Sequence, residues 1–240
     1  MPTRSIPIIR ALIRSGHDVI IGASGGGRRL LEAEFPQLEI FDFPGYPVRY
    51  SRSAATLLPV LLAQMPGLFL GMIRERSRLS HIISERRIDR VISDGRYGLR
   101  TRKVPAIFIT HQVFIRIPGR FPGSGWAERL LLAVNLRLLN GFREVWIPDF
   151  PGEPNLSGDL SHKASRAKNL VFIQPLSRFH PIDQDWKTAA SPGERGGPRI
   201  DVVASVSGPE PQRTQFEESL RHLLDSLSGT RILMSFFRDK

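Results

Sequence analysis

The chain has 240 residues, 41% of them apolar and 24% charged, enough to bury a substantial core in one large or two small domains. It contains no Cys, which excludes disulfides, thiolate zinc centres and cysteine nucleophiles and fits the cytoplasm. Its 34 basic residues, only five of them Lys, outweigh 23 acidic ones for a net charge of +11, so anionic partners (phosphorylated ligands, acidic lipid, nucleic acid) stay open on charge alone.

Ile6, Ile9, Leu12 and Ile13 fall on one face of a helix from Ser5 to Ser15, and Gly16 ends it. Arg10 and Arg14 inside that stretch exclude a signal peptide. A buried strand is expected from Asp18 to Ala23, a second helix over "SGGGRRLLEAEF", and a second strand from Leu38 to Phe43. The pattern continues with a helix ending near Arg86 and strands at Arg90–Asp94 and Ala106–Thr110. A helix at Trp126–Leu139, a strand at Glu144–Pro148 and an extended piece, "NLVFIQPLSRF", follow. Short apolar strands alternating with helices predict an α/β chain with a parallel, doubly wound sheet. Residues 180–199, rich in Pro, Gly and charge, read as a linker. Beyond it Ile200–Val206, a polar loop, an amphipathic helix carrying Phe216, Leu220, Leu223 and Leu224, and a last strand begin a second unit of the same kind.

A doubly wound domain normally opens on a strand, whereas here a helix follows Met1 almost at once, and the second unit stops at Lys240. The expectation is a chain cut at both ends. The stretch "LLPVLLAQMPGLFLGMI" (57–73) is shorter than a membrane-spanning helix and is interrupted by Pro59, Gln64 and Pro66. It reads as a kinked core helix or as an apolar patch touching an anionic membrane, the latter supported by Arg49, Arg52, Arg74, Arg76 and Arg78 at its flanks.

Ligands of open parallel sheets collect at the carboxyl ends of the strands, and four such ends are polar. "GASGGG" offers Ser24 and Gly25 as a substrate contact, its glycines letting a ligand approach the backbone, or is a simple turn. "ISDGRYG" ends its strand with Ser93, Asp94 and Arg96; the carboxylate can take a hydroxyl proton or hold a sugar, although an Asp-Gly turn needs no function. "FITHQ" turns from apolar to polar at Thr110, His111 and Gln112, where His111 can act as a general base or cap the next segment. After the linker, "SVSGPEPQRTQFEESL" lacks the Lys and spacing of a P-loop. It still sets Ser207, Gly208, Arg213 and Thr214 at the start of a helix, where free N–H groups and the dipole favour a phosphate. No HExxH, GxSxG or paired His of metal spacing is present, so no metal is expected.

In order, "RSIPIIRALIRSGHDVIIGASG", "PAIFITHQVFIRIPG" and "VVASVSGPEPQRTQFEESL" resemble a GT-B glycosyltransferase of the family-28 type, the family of the peptidoglycan N-acetylglucosaminyltransferase. His111 matches the family's His of its HEQN segment and Gln112 stands where Glu is usual, while the third stretch is similar to its phosphate loop. The resemblance implies two Rossmann-like domains. The acceptor-side domain (1–179) lacks its first strand, and the beginning of the nucleotide-sugar domain (200–240) follows the linker. The implied reaction moves a hexose, without metal or other cofactor, from a nucleotide-diphosphate sugar to a hydroxyl acceptor that is lipid-linked in the peptidoglycan enzyme. His111 and Asp94 would be catalytic, Ser207, Gly208, Arg213 and Thr214 would hold the donor, and Ser24, Gly25, Ser93, Thr110 and Gln112 the acceptor side. The chain would be cytoplasmic and peripheral to the inner face of the membrane, with no nucleic acid partner. A GT-B-like sugar-nucleotide epimerase and a non-catalytic ligand-binding remnant are the alternatives.

Overall fold

The computed structural model describes residues 2–45, 54–114, 124–162, 169–178, 201–206, 212–225 and 232–236. Pro2–Arg4 form a 3-10 turn that leads into α1 (Ser5–Arg14), whose Ile6 and Ile9 are buried. Gly16, at φ +76°, ends the helix: its N–H donates to the Ile13 carbonyl and that of His17 to Leu12. Pairing then begins only at β1 (Ile21–Ala23), three residues later than expected, because Asp18 stays in solvent. Ile21 and Ala23 point inward while Gly22 is exposed, so the strand is half-buried rather than buried on both faces. Gly22 leaves room for Phe41, since a Cβ there would lie 2.9 Å from the ring.

α2 (Gly25–Glu34) returns the chain to β2 (Ile40–Asp42), parallel to β1. α3 (Ala54–Arg86) follows, a 33-residue helix that continues through Pro59 and Pro66. β3 (Val91–Asp94), β4 (Ala106–Ile109), β5 (Glu144–Ile147) and β6 (Leu170–Phe172) form a four-stranded parallel sheet in chain order. A 3-10 turn (Tyr97–Leu99) joins β3 to β4, and α4 (Ser124–Leu139) joins β4 to β5. A single helical turn, α5 (Asp159–His162), precedes β6. β7 (Val202–Val206), α6 (Gln212–Asp225) and β8 (Ile232–Phe236) make a second βαβ unit with parallel strands.

The single doubly wound sheet expected for the first domain is divided in two. Among the described residues no strand pairs with β1 on the side away from β2, or with β3 on the side away from β4. Side chains span the division instead. Arg96 donates to the carbonyls of Phe43 (2.8 Å) and Pro44 (2.7 Å) at the end of β2, and Arg78 of α3 donates to that of Asp42 (2.8 Å). Both guanidiniums also lie over the Phe43 ring, Arg96 at 4.6 Å and Arg78 at 5.5 Å from its centroid.

The division is repeated in the core. Ile6, Ile9, Ile21, Leu31 and Phe35 pack around the smaller sheet, while Leu79, Phe108, Leu139, Val145 and Ile147 centre the larger one. The chain falls into two compact units, Met1–Pro47 with Met65–Arg178, and Val48–Gln64 with Phe179–Lys240. The expected linker lies outside the described residues. Of the apolar 57–73 stretch, the side chains before residue 63 are also outside them. Its far end corrects the core-helix reading, since Phe69 is 46% and Ile73 64% exposed.

Candidate functional site

Parallel pairing sets the ends of β3 and β4 level, with Asp94 opposite Ile109, so the two polar turns that follow the strands stand side by side. The start of α1 closes on them. Arg4 forms an ion pair with Asp94 Oδ1, the Ser5 hydroxyl donates to Asp94 Oδ2 at 2.8 Å, and Arg4 Nη1 lies 3.0 Å from His111 Nδ1. His111, Asp94, Arg4 and Ser5 thus form one cluster at the carboxyl edge of the sheet.

Its protonation pattern follows from the donors. A guanidinium has no acceptor, so His111 Nδ1 must accept and the proton of the neutral ring resides on Nε2. Partial burial and the neighbouring Arg4 charge hold the His111 pKa below its ordinary value, against the opposing pull of Asp94. The imidazole is therefore neutral near pH 7. Its free position is a donor, and the lone pair that would serve as a base is capped by Arg4. Asp94 is likewise occupied at both oxygens. The expectation of a carboxylate open to a substrate proton is corrected to a carboxylate already neutralised within the chain.

The remaining sequence candidates separate. Ser93 is 1% exposed; its hydroxyl donates to the Arg96 carbonyl at 2.8 Å and closes the turn after β3, which places it in the fold rather than on a substrate-facing surface. Thr110 is also buried, and its Oγ1 accepts from the Gln112 N–H at 3.0 Å. That bond fixes the turn that projects His111. Gln112 itself is exposed. Ser24 precedes α2 in extended backbone and Gly25 follows at φ +58°; a Cβ added at Gly25 would meet nothing within 4 Å. These two lie on the smaller sheet's side of the division. Ser207 and Gly208 lie outside the described residues, whereas Arg213 and Thr214 occupy the first turn of α6.

Two supporting centres left weaker traces in the sequence. Buried Asn135 of α4 donates to the Val113 carbonyl (2.7 Å) and accepts from the Tyr97 hydroxyl (2.7 Å), bracing the segment after His111; Tyr97 in turn stacks on Phe108. Asp149, fully buried beyond β5, accepts from the N–H groups of Phe150 (2.7 Å), Leu156 (2.9 Å) and Ser157 (2.8 Å) and from the Ser157 hydroxyl. Burial pushes its pKa up, but these hydrogen bonds outweigh it and hold the carboxyl far below the usual carboxylate range. A lone Asp after "WIP" was the only signal. Among the described residues no group of three or more His, Asp or Glu is placed to hold a metal. No helix among them is long and apolar enough to cross a membrane.

No family model matches the sequence. No curated protein matches it either. Solved structures do. A glycosyltransferase from Rickettsia africae superimposes with a TM-score of 0.53 at 12% identity, over 98% of this chain and 64% of that one. The glycotransferase of kitacinnamycin gives a TM-score of 0.50 at 16% identity, over 98% and 63%. The chain has the GT-B fold. MurG of Acinetobacter baumannii matches over 98% of this chain and 61% of its own, with a TM-score of 0.44 and 10% identity. The chain therefore spans less than two thirds of the length of the GT-B structures it resembles.

Proposed function

We propose that the chain is the acceptor-side domain and the opening of the donor-side domain of a glycosyltransferase that moves a hexose from a nucleotide-diphosphate sugar to a hydroxyl acceptor. The observation that carries this reading is the joining of His111 and Asp94 through Arg4 at the carboxyl edge of a GT-B sheet, where such folds present ligands. The acceptor oxygen bonds to the anomeric carbon, the bond to the diphosphate breaks, and the hydroxyl proton passes to His111. Nδ1 can take that proton only after Arg4 turns away. An anionic group on a bound ligand supplies the reason to turn, because its oxygens compete with Asp94 for the same guanidinium. Arg213, Thr214 and the preceding Ser207 and Gly208 would hold the diphosphate at the start of α6.

The acceptor is proposed to be lipid-linked and the chain peripheral to the cytoplasmic face of an anionic membrane. Exposed Phe69, Leu70 and Ile73 on α3, beside Arg74 and Arg76, support the contact. Engagement of both Asp94 oxygens and of His111 Nδ1 favours a second reading, a ligand-binding module without turnover. Titration of the full chain with uridine diphosphate against a nicotinamide dinucleotide tests the donor assignment. Selective binding of uridine diphosphate is expected, and equal or absent binding of the two overturns it. Selective binding with no sugar transferred, in a chain carrying the whole donor domain, favours the binding module.

A further inference from the structure

A cavity of about 610 Å³ opens between the middle of α3, the end of α4 and the connection that returns to the start of β4, away from the His111 cluster. Arg76, Arg100, Arg102 and Arg137 line it, together with Thr101 and Asn140. No carboxylate lines it. Elsewhere in this unit five arginines are matched to a carboxylate: Arg4 to Asp94, Arg10 to Glu34, Arg28 to Glu32, Arg86 to Glu39 and Arg96 to Glu75. Among the described residues none of the four cavity arginine side chains makes a hydrogen bond or ion pair. Lys103 adds a fifth like charge next to them, its ammonium 3.2 Å from the Ser80 carbonyl and from the Ser84 hydroxyl on α3.

Four guanidiniums around one cavity repel, and folding concentrates them there while 23 acidic residues are distributed elsewhere. The backbone makes room for the arrangement. At Gly141 a Cβ would stand 2.9 Å from Arg100 Cδ and 3.1 Å from the Leu138 carbonyl, so a side chain at 141 would displace Arg100 from the cavity wall. Guanidiniums present paired donors that fit the oxygens of a phosphoryl group, and a multiply charged anion removes the mutual repulsion of all four at once.

We infer that this cavity binds a phosphoryl group, carried by a soluble phosphate ester or by a lipid headgroup, at a site separate from the His111 cluster. The inference does not depend on the transferase reading, because Arg213 and the proposed donor loop belong to the other unit.

The test is phenylglyoxal modification of the full chain with the modified arginines mapped by mass spectrometry. Inorganic pyrophosphate and vesicles of phosphatidic acid in phosphatidylcholine are the two probes, each against chloride or pure phosphatidylcholine at matched ionic strength. Arg76, Arg100, Arg102 and Arg137 should be modified about tenfold more slowly with at least one probe, the scale of one charge-assisted hydrogen bond, while exposed Arg14 and Arg90 are unchanged. Protection by pyrophosphate alone assigns a soluble ligand, and protection by the acidic vesicles alone assigns a headgroup. Arg137→Gln, at an exposed helical position, should remove most of the protection of the other three. Equal slowing of all arginines, or no slowing with either probe, overturns the inference.

Discussion

Arg4 and Arg96, at the carboxyl ends of β3 and β4, each satisfy a carboxylate, and the structure there depends on the match. Arg76, Arg100, Arg102 and Arg137, dispersed in sequence but gathered into another face of the same unit, satisfy none among the described residues. The same side chain therefore has two thermodynamic roles in one unit. A paired, desolvated arginine is part of the folded state, and its loss strands a buried partner. An unpaired arginine on a cavity wall contributes little to folding, or opposes it, and its retained solvation is available to be exchanged for a ligand.

The strongest way to break this contrast is Arg96→Ala. Glu75 is 4% exposed, and burial already pushes its pKa up against the restraining hydrogen bond and charge of Arg96. Removing the guanidinium also releases the carbonyls of Phe43 and Pro44. A loss of about 3 kcal/mol in urea-unfolding free energy is expected. A loss below about 1 kcal/mol would show that water replaces Arg96 readily and that the division between the two sheets is not closed by this side chain.

Asp149→Asn should cost about 2 kcal/mol near neutral pH, because the loop N–H groups then face a neutral amide. The pH dependence has a definite sign. A carboxyl whose folded pKa lies below its ordinary 3.8 contributes fully above that value and loses its contribution as pH falls toward the folded pKa. The wild-type chain should therefore lose stability below about pH 4 more steeply than the variant, with the two curves converging in acid. Parallel thermal-unfolding curves across that window would contradict the assignment.

Arg4→Gln sharpens the comparison at the candidate site. Removing its charge leaves the pull of Asp94 on His111, so the imidazole pKa should move upward, readable by NMR titration of the ring. Asp94→Asn should move it the other way. Any activity limited by the neutral ring should shift its acid limb in the same directions. The smallest effect is expected at the cavity: Arg137→Gln should change unfolding free energy by no more than about 0.5 kcal/mol, and toward greater stability at low salt where repulsion is least screened. A loss as large as that of Arg96→Ala would mean that Arg137 is a packing residue and would remove the contrast.

The elements were largely legible because alternation of short apolar runs with amphipathic stretches is a local property, and so was the polar end of "FITHQ". Partners distant in sequence were not. Arg4 sits in an unremarkable "PTRS" and becomes significant only when α1 docks beside Asp94, ninety residues on. The cavity arginines are dispersed over 76, 100, 102 and 137, with no period to connect them. Apolarity from 57 to 73 indicated a helix correctly but not its burial, since composition reports what a segment can bury against and not whether a neighbour arrives. Ser93 and Asp94 share the polar end of one strand, yet strand alternation turns adjacent residues to opposite sides.

Gly98 shows how far one contact can reach. Its Cα lies against Glu75, so that a Cβ would collide with Glu75 Oε2, sit 2.7 Å from Glu75 Cβ and 2.9 Å from the Met72 carbonyl. Space at 98, the carboxylate at 75 and the guanidinium at 96 are thus one unit of variation. In related sequences a larger residue at 98 should be found only where the turn of α3 that carries 72 and 75 has shifted away, because any Cβ at 75 and the Met72 carbonyl would still meet it, and there 96 is released to become something other than arginine. Drift at any one of the three positions is blocked until the others have moved, which makes this trio a marker for recognising distant relatives when overall identity no longer helps.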